Sequence, residues 1–298
     1  MNLTNKQKGL ALSLIGVLLI TPDSLFIRLI DLGAWELVFY RGLVPCICLL
    51  IVLSFYYRSQ FIKSFLVLGI PGLFYAILIA LGSTTFVISI ENTYVANTLI
   101  MIALLPFATA ILSSIFLKEH PSKRMWLTII ACFAVVLFIF YDSYQGNRLY
   151  GDFFGLLTAV MVGGSAVVVR YGKNFNFLPA LLLSKFFIML IAIIFMKNFP
   201  ETLFVDQKNL YLIIAMGVFA VFIPLAMITL APRYIPAYEV EIFFVLETIL
   251  GPVWVWLVIH EQPTNKTIIG GVFIIIIIFI HTFLELRENK KVEHNSLQ

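Results

Sequence analysis

Charge is scarce in this sequence. Of 298 residues only 20 are Lys or Arg and 16 are Asp or Glu, while 61% are hydrophobic. A soluble fold must cover itself with far more polar side chains than this, so a soluble globular domain is excluded. Cysteine is also rare. Cys46, Cys48 and Cys132 all fall in apolar runs, and one Cys-x-Cys pair without a second cannot make a zinc site or a disulfide framework. They read as small buried hydrophobes. There is no Gly-rich loop ending in Lys-Ser/Thr, no His-Glu-x-x-His and no Gly-x-Ser-x-Gly. ATP is therefore not expected as the direct energy source, and no cofactor, metal or catalytic residue is expected. The four histidines, His120, His260, His281 and His294, sit at loops, helix ends or the tail. The formal net charge is +4, but no basic patch interleaved with aromatics lies outside the apolar runs, so nucleic acid is not an expected partner.

What is abundant is hydrophobic sequence in long runs, with a mean hydropathy of +1.01. A crossing helix needs about 20 apolar residues. Ten such segments are predicted, at 8–28, 33–56, 64–88, 93–117, 123–141, 151–171, 178–196, 209–231, 237–259 and 266–284. The connections are short, the longest around Asp142–Arg148 and Asn198–Lys208. Lys6 and Lys8 precede the first run without a small-residue cleavage site after it, so that helix is expected to act as an uncleaved insertion signal. With the N-terminus in the cytoplasm, Arg28, Arg148, Lys197, Lys208 and Lys266 fall outside. Arg41 and Lys185 fall within spans, and the remaining thirteen cations fall inside. That bias predicts both termini in the cytoplasm. The charged tail at 287–298 reads as disordered. The absence of long loops suits a bacterial inner membrane.

An internal repeat is visible. At a shift of 142, Gly9 falls on Gly151, Arg28 on Arg170, and Glu119-His120-Pro121-Ser122 on Glu261-Gln262-Pro263-Thr264. At a shift of 144, Arg41 falls on Lys185. Two halves of five spans each, 1–146 and 147–286, must enter the membrane from opposite sides because five is odd. The predicted fold is therefore an all-α membrane protein of ten transmembrane helices built as two five-helix inverted repeats. In such folds a solute binds near midplane between the repeats.

These features resemble the EamA family of the drug/metabolite transporter superfamily. The resemblance covers nearly the whole chain. It is carried by the five-plus-five spans, by Pro106 followed by Leu117-Lys118-Glu119, and by Phe39-Tyr40-Arg41-Gly42. It is also carried by the stretch from Glu247 to Trp256 with His260-Glu261-Gln262-Pro263 after it. Many members have Glu-Pro where this chain has Glu247-Thr248, with its proline only at Pro252. The resemblance implies transport, without naming a solute.

Ionisable groups in hydrocarbon are costly and should face the bundle interior. Glu239, Glu241 and Glu247 share the ninth span, with Glu239 and Glu247 about 80° apart around the helix. Glu239 and Glu247 are expected to line a cavity, to bind solute or couple a proton or ion. The alternative is a hydrogen bond that only fixes packing. Glu239 falls on Asn97 in the repeat, and Tyr238 and Tyr94 flank them with a hydroxyl on an apolar face. Tyr40 beside Arg41 joins these solute-binding candidates. Arg41 and Lys185 would bind an anionic group, pair with a carboxylate, or snorkel to the interface. Thr21-Pro22-Asp23-Ser24 breaks the first span, where Asp23 would bind a cation or proton; Gly163-Gly164-Ser165 is its counterpart. Glu119 and Glu261 read as structural residues at span ends. The Ile run at 274–278 and the many Phe residues read as lipid-facing. The expected partners are a small organic solute and membrane lipid, with a homodimer left open. The rival readings are a membrane enzyme and a structural membrane subunit.

Overall fold

The computed structural model describes residues 5–118, 123–172, 175–196, 204–231, 234–235 and 237–296. The side chains at 124, 125, 143, 237–239, 241, 242 and 281–296 fall outside that description. All regular structure among the described residues is helical. Among the described residues, seven helical stretches are long and apolar enough to cross a membrane: Asn5–Leu29, Ala34–Leu66, Gly69–Asn92, Val95–Phe116, Leu149–Tyr171, Leu178–Phe195 and Gln207–Leu230. Three shorter apolar helices, Trp126–Asp142, Phe243–Ile259 and Asn265–Ile280, fall on the fifth, ninth and tenth expected segments. Phe55, Ile62, Phe116 and Ile194 stand exposed on the outside, as lipid-facing side chains do.

Prolines divide the helices. The first segment is α1 (Asn5–Ile20) and α2 (Asp23–Leu29), separated at Thr21-Pro22. Proline has no N–H to continue the ladder. The chain restarts when the Phe26 N–H donates to the Pro22 carbonyl at 3.0 Å. After a turn at 31–33, α3 (Ala34–Tyr57) runs back, and α4 (Phe61–Leu66) and α5 (Gly69–Asn92) follow. The fourth segment splits into α6 (Val95–Ile102) and α7 (Leu105–Phe116), with Pro106 in the first turn of α7. Next come α8 (Lys123–Gln145), α9 (Leu149–Tyr171) and α10 (Leu178–Phe195). The eighth segment is α11 (Gln207–Ala215), a π-helical stretch at Met216–Phe222, and α12 (Ile223–Leu230). The chain ends in α13 (Ala237–Ile259), which contains Pro252, and α14 (Asn265–Ser296).

The main packing partners come from opposite halves of the chain: α5 with α9, α1 with α12, α3 with α10, α8 with α14 and α6 with α13. A Cβ added at Gly42 would meet Met189 Cγ at 2.8 Å and the Lys185 carbonyl at 2.9 Å. α3 and α10 therefore touch at close range beside Arg41 and Lys185. Lys118 and His260, 142 residues apart, both adopt left-handed backbone, with φ 54° and 62°. Each directly precedes the Glu of a Glu-x-Pro motif.

Two expectations need correction. Ile274 and Ile278 are buried with Cys132, Val136 and Ile139, while Ile276 is exposed, so only part of the Ile run faces outward. Helical spacing makes this so, since residues four apart share the face that α14 packs on α8. The backbone of α14 also stays helical to Ser296, instead of ending in a disordered tail. No Gly or Pro occurs after Gly271, and Glu, Lys and Leu are good helix formers.

Candidate functional site: a cavity with buried charge

A cavity of about 170 Å³ lies between helices of both halves. A water needs roughly 10–15 Å³ by this kind of measure, so there is room for on the order of ten waters or a small solute. Its walls are largely apolar, with Ile79, Phe86, Leu181 and Phe244 among them. Among the described residues, four acidic or basic side chains face it: Asp23, Arg41, Lys185 and Glu247. They are 1%, 5%, 0% and 5% exposed, so neither cation snorkels to an interface.

Asp23 and Arg41 are paired. Both guanidinium terminal nitrogens donate to the two Asp23 oxygens, the bidentate geometry that suits arginine. Arg41 Nε donates to Ser83 Oγ at 3.1 Å, and the Phe86 ring lies 5.1 Å beneath the guanidinium. Of the roles open to Arg41, pairing with a carboxylate is the one observed. Glu36, on the same helix, does not supply it. Asp23 lies eight residues before the 31–33 turn and Arg41 eight after it, so both sit about 12 Å from that end of the bundle. That is close to half the thickness of a hydrocarbon core. The Pro22 break is braced by Trp254 Nε1 of α13, which donates to Thr21 Oγ1 at 3.0 Å.

Lys185 and Glu247 are different. Lys185 Nζ is buried with no hydrogen-bond partner among the described residues. The Glu247 carboxyl makes no hydrogen bond or ion pair with another described residue. Each feels the field of the Asp23–Arg41 pair, but the two do not pair with one another. Val240, Phe244 and Glu247 all line the cavity, which shows that one face of α13 forms its wall.

Three other candidates, Tyr40, Tyr94 and Asn97, lie elsewhere. Tyr40 is buried in the apolar core with Phe39. The side chains of Tyr238, Glu239 and Glu241 are outside the described residues, as are Glu119, His120 and Pro121. Tyr94 and Asn97 sit at one end of the bundle. Arg148 lies 4.5 Å over the Tyr94 ring. Asn97 Nδ2 donates to Asp152 at 3.0 Å, Thr93 Oγ1 donates to the same carboxylate, and Thr267 Oγ1 donates to Asn97 Oδ1 at 2.8 Å. Glu261 has a structural position. It accepts from the Val95 N–H at 2.8 Å and lies 3.1 Å from Arg28 Nε. Asp152 is a buried carboxylate that sequence reasoning misses. Its signal is an acid two residues inside an otherwise apolar segment.

An EamA-like transporter family model matches this chain twice, at residues 7–141 and 149–283. The chain belongs to the EamA-like transporter family. This EamA-like protein is a multi-pass membrane protein, and its activity is transport of a small molecule, not catalysis. It is similar to the pseudopaline exporter CntI of Pseudomonas aeruginosa, with 25% identity over 82% of this chain and 84% of that one. It is also similar to the uncharacterized transporter YdfC of Bacillus subtilis, with 26% identity over 71% of this chain and 68% of that one. A crystal structure at 11% identity shares the fold, with a TM-score of 0.65 over 94% of this chain and 98% of that one.

Proposed function

We propose that this EamA-like protein is a secondary active transporter that moves a small organic metabolite by alternating access between two inverted five-helix repeats, 1–146 and 147–286. The reading places ten crossings in a bacterial inner membrane with both termini in the cytoplasm. Helix pairing supports the repeat. Exchanging the halves converts the third-with-sixth segment contact (α5 with α9) into the first-with-eighth contact (α1 with α12). The second-with-seventh, fourth-with-ninth and fifth-with-tenth contacts map onto themselves, as a two-fold axis requires. The double family match and the matching backbone at Lys118 and His260 point the same way. The bias of Lys and Arg between the segments supports the orientation. The name of the Pseudomonas relative favours efflux.

The observation that carries the reading is the cavity between the halves, with four acidic or basic side chains buried against it in an apolar bundle. Such groups are expensive in hydrocarbon and mark solute or ion pathways. In this reading Lys185 and Glu247 contact the solute, Asp23 and Arg41 form a resident pair beside it, and Asp23 or Glu247 couples an ion. Tyr94 and Asn97 belong to the closed end. The test is counterflow in liposomes holding the purified protein. A preloaded solute should drive uptake of its labelled copy, and Lys185→Gln should stop it. Equal uptake by protein-free liposomes for every solute tested would remove the proposal.

A further inference from the structure

The structure assigns a binding site for an anionic phospholipid to a second pocket, at one end of the bundle, where Lys63 receives the headgroup phosphate. The site shares no lining residue with the central cavity. It needs the membrane and does not rest on the transport reading.

The pocket measures about 180 Å³, and its walls include Tyr57, Gln60, Lys63 and Ser64 from one half of the chain and Phe175 and Asn176 from the other. That is room for on the order of ten waters, enough for a phosphoglycerol headgroup. Asn176 ties the walls together. Its Nδ2 donates to the Tyr57 hydroxyl at 2.7 Å, and its Oδ1 accepts from the Leu178 N–H at 3.2 Å, at the start of α10. Left-handed backbone at Arg58 (φ 47°) and Gly69 (φ 49°) sets α4 off as a separate short helix between α3 and α5. Three observations point to the occupant. Tyr56 and Tyr171, at the ends of α3 and α9 beside the pocket, are both more than 70% exposed, and exposed tyrosines on an apolar bundle mark the level of lipid headgroups. Ile62, Leu66, Val67 and Ile70 are exposed around it, a rim suited to acyl chains. The third observation is the sign of the charge. Residues 37–90 and 153–200, which contain the whole pocket wall, hold no Asp or Glu, while the connections 58–68 and 170–177 carry Arg58, Lys63, Arg170 and Lys173. The Lys63 ammonium makes no hydrogen bond or ion pair with another described residue. A zwitterionic headgroup would bring an ammonium that no carboxylate of these stretches could meet. A free phosphate would leave the apolar rim uncovered. An anionic phospholipid matches both, with its phosphate on Lys63 and its chains along the rim, as basic pockets between membrane helices hold acidic lipids. Because the walls come from both halves, the bound lipid spans the seam between them.

The experiment uses the full-length protein in a neutral detergent. The probes are phosphatidylglycerol, phosphatidylcholine with the same chains, and glycerol phosphate, with binding read by native mass spectrometry and by melting temperature. Phosphatidylglycerol should bind and raise the melting temperature, and phosphatidylcholine at the same ratio should not. Lys63→Gln should weaken phosphatidylglycerol about fivefold, the scale of one basic residue at an anionic lipid surface, while Lys63→Arg keeps the affinity. Lys63 is exposed, so both variants should melt with the parent when no lipid is added. Lys8→Gln removes an equal charge outside the pocket and should leave binding unchanged. Equal losses from Lys63→Gln and Lys8→Gln would overturn the site in favour of diffuse attraction. Equal binding of phosphatidylcholine would overturn the choice of headgroup. Stabilisation by glycerol phosphate that matches phosphatidylglycerol and depends on Lys63 would replace the lipid with a soluble phosphate. None of these outcomes reads solute movement, so the transport reading stands or falls separately.

Discussion

Two polar regions lie in this apolar bundle, and they are built on opposite principles. At one end, Asp152, Asn97, Thr93 and Thr267 form a chain of hydrogen bonds across α6, α9 and α14. Glu261 joins them by holding the first turn of α6 and Arg28. Nearby, Asp142 accepts from Thr264 and is approached by Lys266 and Arg148. In the cavity, one ion pair is complete while Lys185 and Glu247 have no partner among the described residues. Polar groups buried for packing come with their partners, because an orphan costs more than a hydrogen bond returns. Ser24 Oγ is also buried without a hydrogen-bond partner, so Lys185 and Glu247 are set apart by facing the cavity and not by being unpartnered alone.

The comparison breaks first at Asp23. Replacing one member of a buried ion pair leaves the other uncompensated, a loss of about 3–5 kcal/mol. Asp23→Ala is expected to show the largest fall in stability in detergent, and the double variant Asp23→Ala/Arg41→Met is expected to recover much of it. A double variant no better than the single would mean that the two residues do not act as a pair. Next comes Asp152→Ala, which strips the acceptor from Thr93 and Asn97. Interhelical hydrogen bonds within membranes average about 0.6 kcal/mol, with a maximum near 1.7, so two of them predict a loss of about 1–2 kcal/mol. Transport by the surviving folded fraction should be retained, because Asp152 does not line the cavity. Loss of counterflow at full folded yield would move Asp152 into the solute path. Smaller again is Glu261→Gln, which keeps an acceptor for the Val95 N–H and loses the charge facing Arg28. That pair is about one fifth exposed, and a partly screened pair is worth at most about 1 kcal/mol. A melting shift as large as that of Asp23→Ala would show that this end is a charge-locked closure.

Much of this was legible in the residues, and the reasons differ by element. The helices follow from apolar runs that only a bilayer accommodates, and Pro22 marks the break that places Asp23. Arg41 and Lys185 stand out as lone cations in apolar sequence. The Asp23–Arg41 partnership is also readable, since the two residues lie at equal distances from a short turn, but reading it requires comparing depth across a hairpin instead of faces along one helix. Asp152 is not legible in this way. One acid at the start of an apolar run reads as an interface residue. It is buried where α9 packs tightly on the end of α5: a Cβ at Gly151 would lie 2.6 Å from the Asn92 carbonyl carbon. Asn97 misleads for the opposite reason. Its repeat match to Glu239 suggests a common place in the cavity, yet the hydrogen bonds offered by Asp152 and Thr267 hold it at the end. Which polar group has no partner depends on contacts between distant helices, and it separates the two regions only once those contacts are known.

The smallest expected change in stability is at Lys185, and its sign is the sharpest test of the contrast. Methionine matches the length of lysine's aliphatic stem and needs no hydrogen bond. Among the described residues Lys185 has no partner to abandon, so Lys185→Met removes an unmatched buried amine and leaves no new orphan there. The empty protein should melt at the same temperature as the parent or higher, while counterflow is lost. Stability gained as function disappears is the mark of a residue retained for its ligand. A clear fall in melting temperature would instead mean that the amine supports the fold, and Lys185 would then belong with Asp152 among the groups buried for packing.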